Sequence, residues 1–166
     1  MKNSKLSQRD FAKLKEGVWL NDEVINEYIE LIRIRGKERV NKHPDTLVFN
    51  TFMYSLISND LANGCYSYEK YKRNWERRLK VNISAMDQII FPINKHNSHW
   101  LLCRVNLNCE NVQLEIYDSL PSGDTSFVEE VAHTISVLLN DAFTEHTKED
   151  VSRLFNLCSG KIGIMK

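Results

Sequence analysis

Apolar residues keep helical spacing to about residue 79, alternate between about 88 and 117, and return to helical spacing after 125. The first helical pattern opens at Trp19-Leu20-Asn21-Asp22. Asn21 is a good N-cap, and Asp22 and Glu23 fall in the first turn, where the helix dipole favours negative charge. Val24, Ile25, Tyr28, Leu31 and Ile32 then recur at helical spacing, with Arg33 and Arg35 in the last turn and Gly36 as the stop. This predicts a helix over 22–35 and a polar loop over 37–46. In 47–59, the spacing of Phe49, Phe52, Met53, Tyr54, Leu56 and Ile57 suits a buried helix. In 66–78, Tyr66, Tyr68, Tyr71 and Trp75 are interleaved with Lys70, Lys72, Arg73, Arg77 and Arg78. That segment reads as a half-exposed helix with its aromatics turned inward; the same residues also suit stacking on RNA bases.

Strands follow. Apolar runs cover 88–93, which contains Pro92, and 100–105; a third covers 112–117. In the third, Val112, Leu114 and Ile116 alternate with Gln113 and Glu115, and Asn108-Cys109-Glu110-Asn111 is turn material, so a hairpin over 99–118 is expected. Ser126 and Glu129 have capping-box spacing ahead of a stripe formed by Val128, Val131, Ile135, Leu138, Leu139 and Ala142. A shorter helix is expected over 148–157, with Thr147 as its N-cap. Helices, then a few strands, then helices predict an α+β fold with a small antiparallel sheet.

Composition narrows the function classes. The 166 residues suit one domain, and 42% hydrophobic with 27% charged residues is an ordinary globular balance. Lys plus Arg and Asp plus Glu both number 22, so no overall basic field exists to attract nucleic acid, and a protein partner is favoured. No apolar run approaches the ~20 residues of a membrane span, and no hydrophobic leader is visible at Met1. Cys65, Cys103, Cys109 and Cys158 are irregularly spaced, which argues for reduced thiols and a nuclear or cytoplasmic location.

The hairpin carries the candidate chemistry. Leu101, Cys103 and Val105 are odd-numbered, whereas Val112, Leu114 and Ile116 are even-numbered. Matching the apolar faces pairs odd with even residues and sets His99 opposite Asp118, or on the adjacent diagonal. A histidine whose Nδ1–H is held by a carboxylate is poised to act as a general base through its other nitrogen. The pair equally suits a partly buried histidine satisfied by an acid. His96 and His99 also have HxxH spacing, but a metal site needs more ligands than this segment supplies.

Trp19-Leu20-Asn21-Asp22-Glu23-Val24-Ile25-Asn26, Phe49-Asn50-Thr51-Phe52-Met53-Tyr54, Phe91-Pro92-Ile93, His99-Trp100 and Tyr117-Asp118-Ser119 occur in that order. Together they closely resemble the ubiquitin-like-protein (SUMO, or sentrin-specific) cysteine proteases. Arg9-Asp10-Phe11 and Leu14 fit the lead-in, and Trp75 and Asp87 fall where the family has a Trp and an Asp. The resemblance implies a papain-like fold and hydrolysis of the peptide or isopeptide bond after a Gly-Gly tail, with no metal or organic cofactor. It implies that His99 is the catalytic base and Asp118 its orienter, and that Trp19 and Trp100 enclose the tail. Asp22 would pair with a basic residue of the modifier; it equally suits a helix-dipole acid.

The family's nucleophile lies in a segment resembling Gln-x(5)-Asp-Cys-Gly after the Asp. Cys158 sits instead in Asn156-Leu157-Cys158-Ser159-Gly160, with Ser at 152. Residues 1–166 are therefore expected to form a single ubiquitin-like-protease catalytic domain, truncated or diverged after about 120. The alternative is a catalytically inactive module that binds a ubiquitin-like protein.

Overall fold

The computed structural model describes residues 6–38, 44–108, 112–120 and 125–147. Helix α1 (Gln8–Phe11) and one 3₁₀ turn (Ala12–Leu14) lead into α2 (Asp22–Glu38). Strand β1 (Thr46–Val48) follows, then α3 (Phe52–Ala62) and α4 (Tyr68–Arg73), which continues as a π-helical stretch over Asn74–Leu79. Strands β2 (Gln88–Lys95), β3 (His99–Asn106) and β4 (Gln113–Asp118) precede the long helix α5 (Thr125–Thr147).

The sheet order is β1-β2-β3-β4, antiparallel except that β1 runs parallel to β2. The helix expected over 47–59 therefore begins at Phe52, and its first residues are β1. Leu47, Val48 and Phe49 are all buried, so three apolar residues in a row give no period from which to tell strand from helix. Two helix ends also differ: α2 runs through Gly36 to Glu38, and α5 starts at Thr125, so Ser126 lies inside its first turn instead of capping it. The helix expected over 148–157 lies outside the described residues.

Pro92 is tolerated inside β2 for a geometric reason. Phe49 N–H donates to the Ile90 carbonyl, so Ile90 and, two residues on, Pro92 turn their backbone polar groups to the β1 side. The β1 ladder ends at Val48↔Ile90, so the missing N–H breaks no ladder bond.

Helices α3 and α5 pack against the inner face of the sheet. Ile89, Phe91, Ile93, Leu101, Cys103, Val105 and Ile116 form that face, and Val131, Ile135, Leu138, Leu139 and Ala142 of α5 join the same core. Each fully buried Ile or Leu stabilises by about 1.5–3 kcal/mol, so this layer dominates stability. Tyr71 and Trp75 belong to it at 1% exposure, with Trp75 5.7 Å edge-on to Phe49. Rings buried this far are not available to stack on bases, so α4 and its π-helical extension form a packed helix, not a nucleic-acid platform.

Polar contacts then latch the helices. Asn26 of α2 donates from Nδ2 to Thr51 Oγ1 and accepts the Thr51 N–H, both at 3.0 Å, and Arg33 donates to the Val48 carbonyl. Tyr54 and Ser58 of α3 donate to Glu130, and Tyr66 donates to Asp141, both acids on α5. Asp87 accepts the Asp45 N–H at 2.7 Å and so fixes the entry to β1.

Candidate active site

The β2–β3 hairpin sets up the site. His96 (φ 53°) and Asn97 (φ 56°) both occupy the left-handed region, and Ser98 N–H donates back to the Lys95 carbonyl. This is the geometry of a type I′ turn, whose twist matches that of the strands it joins. It starts β3 at His99, and β3 pairs with β4 as Leu101↔Asp118, Cys103↔Ile116 and Val105↔Leu114. Odd residues face even ones, and His99 lies one diagonal from Asp118, as the apolar faces predict.

The side chains meet. His99 Nε2 lies 2.6 Å from Asp118 Oδ1, and both side chains are largely buried. Asp118 Oδ1 also accepts the Leu120 N–H at 2.8 Å, which fixes the carboxylate through the turn that follows β4. The nitrogen engaged is the opposite of the one expected: Asp118 holds Nε2, so Nδ1 is the free ring nitrogen. Nδ1 is occluded and has no hydrogen-bond partner among the described residues. A buried imidazole nitrogen without a partner is costly, and Nδ1 is where a thiol proton would be accepted. His96 does not share the site: it is exposed in the turn with its ring 5.9 Å from Phe127. Among the described residues, no group of three or more His, Cys, Asp or Glu is placed to hold a metal ion.

Trp100 follows His99 and, by strand alternation, projects from the other face of β3. Its indole Nε1–H donates to the Leu20 carbonyl at 3.0 Å. Gly17, Val18, Trp19, Leu20 and Trp100 line an open pocket of about 480 Å³. Trp19 is 61% exposed, so its indole is a surface group there and not core. Gly17, at φ 75°, turns the chain into this segment, and the Val18 N–H closes that turn on the Lys15 carbonyl.

The lead-in holds the pocket wall. Asn21 Oδ1 accepts the Val24 N–H at 3.2 Å, which caps α2 as its sequence predicts. Asn21 Nδ2 donates to Asp10 Oδ1 at 2.8 Å, while Asp10 Oδ2 accepts from the N–H and hydroxyl of Ser7 in a capping box for α1. These bonds, the Ser7 hydroxyl first, hold the Asp10 carboxyl below the usual carboxylate range. Ser7-x-x-Asp10 carries a capping signature in the sequence, but nothing there links it to Asn21. Asp22 is half-buried in the first turn of α2, near the pocket wall in sequence.

Two cysteines lie among the described residues. Cys103 is buried under the sheet, and burial, with Glu115 adding to it, pushes its thiol up to about 12. It is a core residue and not a nucleophile. Cys65 is exposed and its Sγ lies 3.5 Å from Asp60 Oδ1. Cys109 and Cys158 lie outside the described residues.

Comparison with known proteins gives a consistent picture. The family described as the Ulp1 protease family, C-terminal catalytic domain, matches residues 18–157. A sentrin-specific protease of Caenorhabditis elegans is 37% identical over 121 residues, covering 73% of this chain and 16% of the relative. Ubiquitin-like-specific protease 1 of Saccharomyces cerevisiae is 28% identical over 155 residues, covering 93% of this chain and 22% of the relative. A solved structure of the C-terminal Ulp1 protease domain in complex with Smt3, the yeast ortholog of SUMO, superposes with a TM-score of 0.69 at 27% identity. That match covers 89% of this chain and 59% of the solved one. The α+β fold is thus that of the Ulp1-type proteases, with papain-like architecture. The chain spans about a fifth of the length of these two curated relatives.

Proposed function

Because the chain belongs to the Ulp1 protease family, we propose that it is a cysteine peptidase that cleaves the peptide or isopeptide bond after the Gly-Gly tail of SUMO or a related ubiquitin-like modifier. The observation that carries this is His99, held through Nε2 by Asp118 with Nδ1 buried and unpartnered, and followed in β3 by Trp100, which lines a pocket with Trp19. In this reading Nδ1 takes the proton of a cysteine thiol, and the thiolate attacks the carbonyl carbon of the terminal glycine. The imidazolium then protonates the leaving amine as the C–N bond breaks, and a water deprotonated by Nδ1 hydrolyses the thioester. Trp19 and Trp100 enclose the tail, because two indoles leave room for backbone without side chains, and Asp22 pairs with a basic residue of the modifier. In this reading the chain belongs to a ubiquitin-like-protease catalytic domain, nuclear or cytoplasmic, that acts on SUMO or its conjugates.

A second reading, a catalytically silent module that binds the modifier, draws on the Leu157-Cys158-Ser159 context, which lacks the Asp-Cys-Gly sequence of the resemblance. A SUMO probe ending in a vinyl sulfone separates the two. An adduct that is lost in Cys158→Ser and falls about 10³-fold or more in His99→Ala supports the peptidase and names its nucleophile. Binding of the modifier without an adduct, weakened by Trp100→Ala, supports the silent module. Neither adduct nor binding refutes both.

A further inference from the structure

We infer that Asp10 is a positioning residue for the tail-binding pocket, acting through Asn21 on the segment that carries Trp19 and Leu20. The inference rests on the reading of Trp19 and Trp100 as the tail site and adds a residue that touches neither indole. Asp10 uses its two carboxylate oxygens for two jobs. Oδ2 closes the α1 capping box with Ser7, and Oδ1 accepts from Asn21 Nδ2 at 2.8 Å. Asn21 in turn spends Oδ1 on the Val24 N–H, so both ends of its amide are occupied and its rotamer is fixed.

The residue before Asn21 is Leu20, whose carbonyl accepts from Trp100 Nε1. Two hydrogen bonds joined through the Leu20–Asn21 peptide therefore link α1 to the strand that bears His99. Trp19, the most exposed of the pocket's aromatics, has no polar anchor of its own among the described residues. Its position depends on the backbone at Leu20 and Asn21. Without Asp10, Asn21 still caps α2, but the lead-in loses its tie to the helix. The indole of Trp19 would then sample more positions, and closing the pocket on a tail would carry an added ordering cost.

A purely structural role for Asp10 would weaken the fold evenly, whereas a positioning role weakens only tail-dependent binding. The test compares wild type, Asp10→Ala and Asp10→Asn against two probes, a SUMO protein ending in Gly-Gly and the same protein lacking that tail. For Asp10→Ala, affinity for the tailed form is expected to fall about fivefold, with affinity for the tailless form unchanged. Asp10→Asn, which keeps an acceptor for Asn21 but turns a donor toward Ser7, should fall between. Acrylamide quenching of tryptophan fluorescence in the unliganded protein should rise in Asp10→Ala, because Trp75 is buried and the other two indoles, Trp19 and Trp100, both line this pocket. Equal losses for tailed and tailless probes, or unchanged quenching, overturn the inference. If wild type does not prefer the tailed probe, the tail-site reading fails, and the quenching series alone decides whether Asp10 positions the segment.

Discussion

Asn26→Ala tests how much of the tie between α2 and the start of α3 rests on one side chain. Asn26 accepts the Thr51 N–H and donates to the Thr51 hydroxyl, both at 3.0 Å, and Thr51 is only 3% exposed. Removing the amide leaves a buried backbone donor without a partner, which costs about 1–3 kcal/mol. The freed hydroxyl is a smaller loss because it can rotate, and a half-buried amide no longer needs desolvating, which offsets part of the total. The expected net loss is about 2 kcal/mol, or roughly 4–8 °C in Tm for a chain of this size. Urea unfolding followed by far-UV circular dichroism should show a lower midpoint with unchanged slope. Asn26→Asp is the control: one carboxylate oxygen accepts the N–H and the other the hydroxyl, so most stability should return. A loss below about 0.5 kcal/mol for Asn26→Ala, or equal losses for Ala and Asp, would refute the clamp.

Three further outcomes follow from the same geometry. Iodoacetamide at pH 8 should modify Cys65 in the native protein and leave Cys103 untouched by peptide mass mapping, since a thiol near 12 under a packed sheet is neither ionised nor reachable. Burial first, and then the Asp141 carboxylate, raises the Tyr66 phenol above its ordinary 10.0. With the folded pKa raised, its contribution is complete below pH 10 and is lost as pH climbs, so Tyr66→Phe should flatten the decline in unfolding free energy between about pH 9.5 and 11; an unchanged slope would count against it. Asp118→Ala removes the partner of both His99 Nε2 and the Leu120 N–H, and should lower probe labelling by at least about 10²-fold while circular dichroism is preserved. Undiminished labelling would exclude Asp118 as the orienter.

The hairpin was readable because alternation has a period of two, and a slip by one residue would have turned Cys103 and Ile116 to solvent. His99 and Asp118 could thus be brought together by counting. The ring nitrogen in contact could not be read, because it depends on a side-chain torsion and on which flank of the ring Asp118 approaches. Strand β1 was hidden for a different reason: Leu47, Val48 and Phe49 are buried in a row beside a parallel neighbour, and no polar position among them reveals a period. Gly36 misled because a helix stop is a local preference of about 1 kcal/mol, which the helix overrode by continuing to Glu38. The Asp10–Asn21 contact joins two residues that each read as a helix-start signal, and only the folded chain sets one against the other.

His99 and Trp100 are consecutive residues of one strand, on opposite faces of the sheet. Their Cα atoms are therefore about 3.8 Å apart whatever the side-chain packing does. That makes β3 a ruler built from covalent bonds. In the proposed reading Trp100 grips the tail and His99 moves the protons, so changes in modifier preference on α2 or the lead-in would leave the backbone spacing of these two residues unaltered. An insertion in the Lys95–Ser98 turn would displace both residues together.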